Sequence, residues 1–272
     1  MTDTYMTSSE AYREIRRGAR KQGAVIKAIL FKDLRIRLGK GRLGLLWIIL
    51  EPMTQMFVLS ALWYLAGREK IDGIHVTMFI ATGIIPYMIL KVGISRIHHS
   101  IKSNVSLFDY QQVKPIDALM AAFILNLVLI LFASIALFFV LGWFFEVLAD
   151  FPNIPEMLGI LAMLMCFSLG IGLLISVYGV FYESLPRFCN IITKPLIFIS
   201  GVLYSVNDLP ATTRDVLSWN PLLQFIAFVR HYALGLDLIP EANFLYIGLI
   251  SAVTLFVGCL SYYVNRLKLL QR

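Results

Sequence analysis

Apolar residues along this chain gather in long uninterrupted blocks rather than in the spaced pattern of a soluble amphipathic fold. Six blocks stand out, at residues 44–66, 76–94, 118–145, 155–182, 188–204 and 243–264. Most reach the roughly 18–20 apolar residues that cross a hydrocarbon core of about 30 Å. They predict an all-α membrane protein with six transmembrane helices. The chain divides accordingly into a cytoplasmic or interfacial segment 1–43, a six-span domain 44–264 and a cytoplasmic tail 265–272. The fifth block is the shortest and is interrupted by Lys194-Pro195.

Two stretches outside the blocks carry their own pattern. Within residues 12–38, Val25, Ile26, Ile29, Leu30 and Leu34 share one arc at helical spacing, with Lys21, Lys32 and Arg35 outside it. This predicts an N-terminal amphipathic helix lying at the membrane interface, although Asp33 falls inside the apolar arc. Residues 205–242 form the longest connection, and its segment 221–229 is too apolar for a free loop and too short to span. That length predicts periplasmic re-entrant helices between spans five and six.

Composition sharpens the membrane reading, and charge orients it. Of the 272 residues, 58% are hydrophobic and 15% charged, with a mean hydropathy of +0.76. Soluble domains run nearer 25% charged. The net charge of +7 comes from 24 Lys and Arg, 11 of which precede residue 43. A basic block ahead of the first span sets topology and meets anionic lipid headgroups; nucleic acid is not the expected partner. Arg96, Lys102 and Lys114 fall between spans two and three, and Arg266, Lys268 and Arg272 follow span six, whereas Glu146 and Asp150 occupy a loop without Lys or Arg. Both termini are thereby expected in the cytoplasm.

No GxxxxGK[ST] phosphate-binding loop occurs, so this chain is not expected to hydrolyse ATP. HExxH and GxSxG are absent too, and Cys166, Cys189 and Cys259 are isolated. No catalytic residue, metal site or cofactor is expected on this chain. Charges at membrane depth are the positive signal, because each costs roughly 2.5–3.5 kcal/mol at a helix centre. Glu51, followed by Pro52, and Lys194, followed by Pro195, are therefore gate candidates, and a Glu51–Lys194 pair is an attractive contact. Gly170 and Gly172, with Ser168 and Ser176, make one face of span four small and predict close helix packing.

The run Arg35-Ile36-Arg37-Leu38-Gly39-Lys40-Gly41-Arg42-Leu43-Gly44, continuing to Glu51-Pro52, resembles the approach to the first span in polysaccharide-export ABC permeases of the ABC-2 type. Asn104-Val105-Ser106-Leu107-Phe108-Asp109-Tyr110, with Val113-Lys114-Pro115-Ile116-Asp117, is similar to that family's second cytoplasmic loop. Trp219-Asn220-Pro221-Leu222 is similar to its outer segment. Within that type the likeness is to the capsular polysaccharide export permeases.

The resemblance implies a transport permease in the bacterial inner membrane that pairs as a homodimer and binds two copies of a separate ABC ATPase, which would supply ATP and Mg. It also implies a lipid-linked polysaccharide as substrate and a periplasm-spanning co-polymerase or export partner. Leu107, Phe108, Asp109 and Tyr110 would couple the permease to the ATPase. Arg35, Arg37, Lys40 and Arg42 would meet the substrate or its phosphate-bearing lipid anchor at the cytoplasmic mouth. Other readings remain: an ABC-2 exporter of O-antigen, teichoic acid or a small lipophilic compound, an intramembrane glycosyl transferase, or a membrane scaffold.

Overall fold

The computed structural model describes residues 8–39, 44–110, 112–144 and 152–270. All six apolar blocks become helices: α2 (Gly44–Leu65), α3 (Val76–Ser95), α5 (Pro115–Phe144), α6 (Ile154–Phe181), α7 (Ser184–Ile199) and α10 (Phe244–Leu270). Ahead of them runs α1 (Ser8–Gly39), and the short α4 (His99–Ser103) follows α3. Between α7 and α10 lie α8 (Ala211–Leu217) and α9 (Pro221–Leu234). Residues 70–75 form a small antiparallel hairpin, Lys70–Ile71 with Ile74–His75. Its turn, Asp72-Gly73, has positive φ at both positions, as a two-residue hairpin requires.

Length separates these helices. Among the described residues four are long and apolar enough to cross a membrane: Val76–Ser95, Pro115–Trp143, Ile154–Phe181 and Phe244–Leu269. In α2 the described apolar stretch is Met53–Leu65. The 16 residues of α7 extend about 24 Å, short of a hydrocarbon core of about 30 Å. This helix begins and ends earlier than its apolar block. Its last turn closes through Ser200 N–H donating to the Leu196 carbonyl at 3.0 Å, and Gly201 then turns the chain at φ +69. The tail expected from residue 265 has no break before it, since α10 runs on to Leu270.

The interior is built around α3 and α6. The small residues of α6 divide between two faces rather than forming the single one expected: a Cβ on Gly170 would lie 2.5 Å from the Thr254 backbone of α10, and one on Gly258 would lie 2.7 Å from the Gly170 carbonyl, whereas one on Gly172 would lie 3.0 Å from the Gly93 carbonyl of α3. On that second face Ser168 bridges to α3, donating to the Ile89 carbonyl at 2.7 Å and accepting from Gly93 N–H at 3.2 Å. Backbones this close leave no room for side chains, so small residues and interhelical hydrogen bonds supply the cohesion.

The segment between α7 and α10 folds back onto this core. Asn220 caps α9 by accepting from Leu222 N–H at 3.1 Å, with Pro221 in the first turn, where its missing N–H costs nothing. Gln224 then ties the corner, donating to the Ser218 carbonyl and accepting from Asn243 N–H. Leu222, Phe225 and Ile226 of α9 are buried in the same cluster as Phe79, Ile80 and Ile84 of α3 and Phe167 of α6.

Candidate functional site

Two polar regions stand out among the described residues. The first is a cleft of about 650 Å³ between α2, α3 and α7. Thr54 and Gln55 line it from α2, Tyr87, Lys91 and Ser95 from α3, and Asn190, Thr193 and Lys194 from α7. Tyr87 spans the floor, its hydroxyl donating to the Thr193 carbonyl at 3.2 Å. The Gln55 Oε1 is buried and has no partner among the described residues. Among the described residues, two ammonium groups and no carboxylate appear in this lining. Such a surface favours water, hydroxyls and anions over hydrocarbon.

The sequence singled out one residue of this cleft, Lys194. The side chain of its proposed partner, Glu51, lies outside the described residues. Lys91 and Tyr87 were missed. Lys91 sits within the block 76–94 and carries the same signal as Lys194, a charge inside an apolar run. The polar line Ser184, Arg187, Asn190 and Lys194 was equally legible, since steps of three or four residues place these on one face of α7. Nothing local distinguishes Tyr87.

The second region joins α1 to the loop before α5. The apolar arc of α1 packs against protein: Ile29 is buried with Ala118 and Ala121 of α5, and Val25, Ile26, Leu30, Leu107 and Phe108 surround them. Polar contacts frame this patch. Gln22 donates to Asp117 Oδ1 at 2.9 Å, and Lys32 donates to Asn104 Oδ1. Asp117 is 1% exposed, and its second oxygen accepts from Lys114 N–H at 2.9 Å. It thus caps the start of α5 from the third helical position while holding α1. Asp33, out of place in the apolar arc, pairs with Lys32 at 3.6 Å.

The predicted coupling residues divide here. Leu107 and Phe108 turn inward against α1 and α5, whereas Asp109 and Tyr110 are exposed. The predicted basic set divides as well. Arg35 is exposed, but Arg37 donates to Asn126 Oδ1 at 3.2 Å and is half-buried. Burial, and then the neighbouring Arg96, lower the pKa of its guanidinium, while Asp33 opposes them. Lys40 and Arg42 lie outside the described residues. Adjacent His98 and His99 bring their rings to 3.9 Å. Among the described residues no group of three metal-ligating side chains forms.

A helical membrane protein with a polar cleft and a loop packed on an amphipathic helix is the frame in which the comparisons fall. Residues 24–234 match the family model of the ABC-2 type transporter, and the chain belongs to that family. It is similar to the polysialic acid transport protein KpsM of Escherichia coli, with 29% identity over 91% of this chain and 95% of the relative. The capsule polysaccharide export inner-membrane protein CtrC of Neisseria meningitidis serogroup B is 28% identical over 87% of this chain and 89% of its own length. For the capsule polysaccharide export inner-membrane protein BexB of Haemophilus influenzae the identity is 25% over 79% of this chain and 80% of that relative.

Proposed function

We propose that this chain is the permease subunit of an ATP-driven exporter that moves lipid-linked capsular polysaccharide across the bacterial inner membrane. The observation that carries this reading is the cleft between α2, α3 and α7. Lys194 and Arg187 are exposed on a helix set among apolar spans. Facing hydrocarbon, each would cost several kcal/mol. A second copy of the chain across a hydrated gap removes that cost and turns two open clefts into one polar conduit. A polymer with many hydroxyls is moved most cheaply if it keeps water along its path.

In this reading α2 and α7 join the four long helices as the fifth and sixth spans. Both termini lie in the cytoplasm, α1 rests at the inner interface, and α8 and α9 form a re-entrant rim on the periplasmic side. Asp109 and Tyr110 present the docking surface for the ATPase, one copy per permease, while Leu107 and Phe108 pass its displacement to α1 and α5. Arg35, Lys40 and Arg42 receive the phosphate-bearing anchor, and Arg37 holds α1 against α5. Glu51 and Lys194 act as gate residues at the inner half of the conduit. ATP and Mg are bound by the ATPase, and a periplasm-spanning partner receives the polymer. The coverage and names of the capsule-export relatives support capsular glycan as cargo. The lysines of the cleft weigh against a small lipophilic compound.

Deletion of the gene with localisation of the glycan tests this reading. Polymer accumulating in the cytoplasm beside an intact biosynthetic apparatus is the expected result. Loss of polymer synthesis would overturn it.

A further inference from the structure

Arg230 of α9 is 6% exposed. Its Nη1 donates to the Gly201 carbonyl at 2.7 Å, and its Nη2 donates to the carbonyls of Val202 at 2.8 Å and Phe79 at 3.1 Å. The guanidinium carbon stacks 3.5 Å from the centroid of the Phe79 ring. Among the described residues no carboxylate pairs with it, and its Nε has no partner. A buried cation held by carbonyl dipoles and a ring face, with Asp72 attracting it from beyond ion-pair distance, is a costly way to fill space, and an apolar side chain of similar volume would do so more cheaply. What the guanidinium adds is a planar fork that reaches two elements at once.

Those two elements are the walls of the cleft. Phe79 lies two turns along α3 from Tyr87, about 12 Å at the helical rise. Gly201 and Val202 leave the C-terminal end of α7, where exposed carbonyls and the helix dipole both favour a cation. The room for the fork comes from Gly83, one turn from Phe79. A Cβ there would meet Nη2 at 2.9 Å and the Val202 backbone at 3.2 Å. Tyr87 ties α3 to α7 in mid-cleft, and Arg230 ties them again at the far end.

We infer that Arg230 is a positioning residue that sets the spacing of α3 and α7 at the far end of the cleft and makes α9 move with both walls. Its consequence for export rests on the reading of the cleft as the polymer path.

The test uses the full permease with its ATPase, lacking Cys166, Cys189 and Cys259 and carrying one cysteine at Ile197, which lines the cleft. Losing the fork widens the gap: in Arg230→Met a small thiosulfonate reagent should modify Cys at that position about tenfold faster, and export should fall about tenfold, with ATPase copurification unchanged. Arg230→Lys, which keeps the charge and loses the fork, should change both readouts less. Gly83→Ala should shift both in the same direction as Arg230→Met, and the double variant should be no worse than Arg230→Met alone, because both act on one contact. An unchanged modification rate in Arg230→Met overturns the inference, whatever export does. If Arg230→Met fails to assemble with the ATPase, the unchanged rate in Arg230→Lys decides in the same way. A faster rate with normal export upholds the clamp and overturns the polymer path.

Discussion

Helix α3 has two sides that solve opposite problems. Toward α6 it is dry: Gly93 meets Ser168 backbone to side chain, and a Cβ on Gly93 would come within 2.1 Å of the Ser168 carbonyl. Toward α2 and α7 it is wet, with Tyr87, Lys91 and Ser95 facing a cleft that contains Lys194. The dry side spends its residues on close approach and gains cohesion; the wet side forgoes packing for a surface that water and an anion can occupy. In the proposed function, stability and transport are carried by different faces of one helix, and substitutions on the two faces should separate them.

The largest effect is expected on the dry side. Gly93→Val inserts atoms where the Ser168 backbone already stands. It should destabilise the protein by roughly 3 kcal/mol or more, the upper end for overpacking. A lowered melting temperature in detergent and a fall in membrane level would register it. Unchanged melting would mean that α3 and α6 are not packed as described.

On the wet side Lys194→Glu should leave melting in place and reduce export about tenfold, equivalent to roughly 1.4 kcal/mol along the path. Export assays beside melting curves separate this from the first class. A shift in melting with normal export would reverse the comparison.

Intermediate effects belong to the α1 platform. Asp117→Ala leaves Gln22 and the Lys114 N–H without their acceptor, at a cost of about 1–3 kcal/mol. Protease cleavage within α1 should accelerate while the rest of the membrane domain stays protected. Tyr110→Ala, on the exposed side of the same loop, should weaken ATPase copurification without that cleavage.

The smallest effect is a pH dependence at His98, between α3 and α4. Burial first, and the adjacent His99 second, lower its pKa from 6.5 to about 4. The folded protein thus keeps the ring neutral where the unfolded chain would protonate. Stability is full above pH 6.5 and is withdrawn as pH falls toward about 4, below which both states are protonated. Solvent screening at a half-buried ring keeps the change small. His98→Gln should flatten the stability profile over that interval.

These faces were unequally legible in the sequence. Gly172 and Ser168 announced the dry interface because small residues in an apolar span have few other uses, but the single face expected for them and Gly170 is two, with Gly170 against α10. Lys194 announced the cleft because a charge in such a run is costly, and Lys91 carried the same message unread. Segment 221–229 announced α9 by being too apolar for a free loop, while the cap by Asn220 went unread. Tyr87 and Arg230 were invisible for a common reason: their partners are backbone carbonyls that any residue supplies, brought near by tertiary packing alone. The inward turn of Phe108 was hidden too, since its environment depends on α1, more than 60 positions away. The amphipathic arc of α1 was correctly placed on one face, but periodicity does not say whether lipid or protein covers it.

The account stands on the polymer passing along the cleft of α2, α3 and α7. Asn190 lines that cleft from α7, and a cysteine there, in a permease lacking its native cysteines, can be labelled with a bulky maleimide. The assay reads ATP-driven glycan export in vesicles reconstituted with the ATPase. Complete labelling should stop export while ATP turnover continues. Export at the unlabelled rate from fully labelled protein would contradict the account.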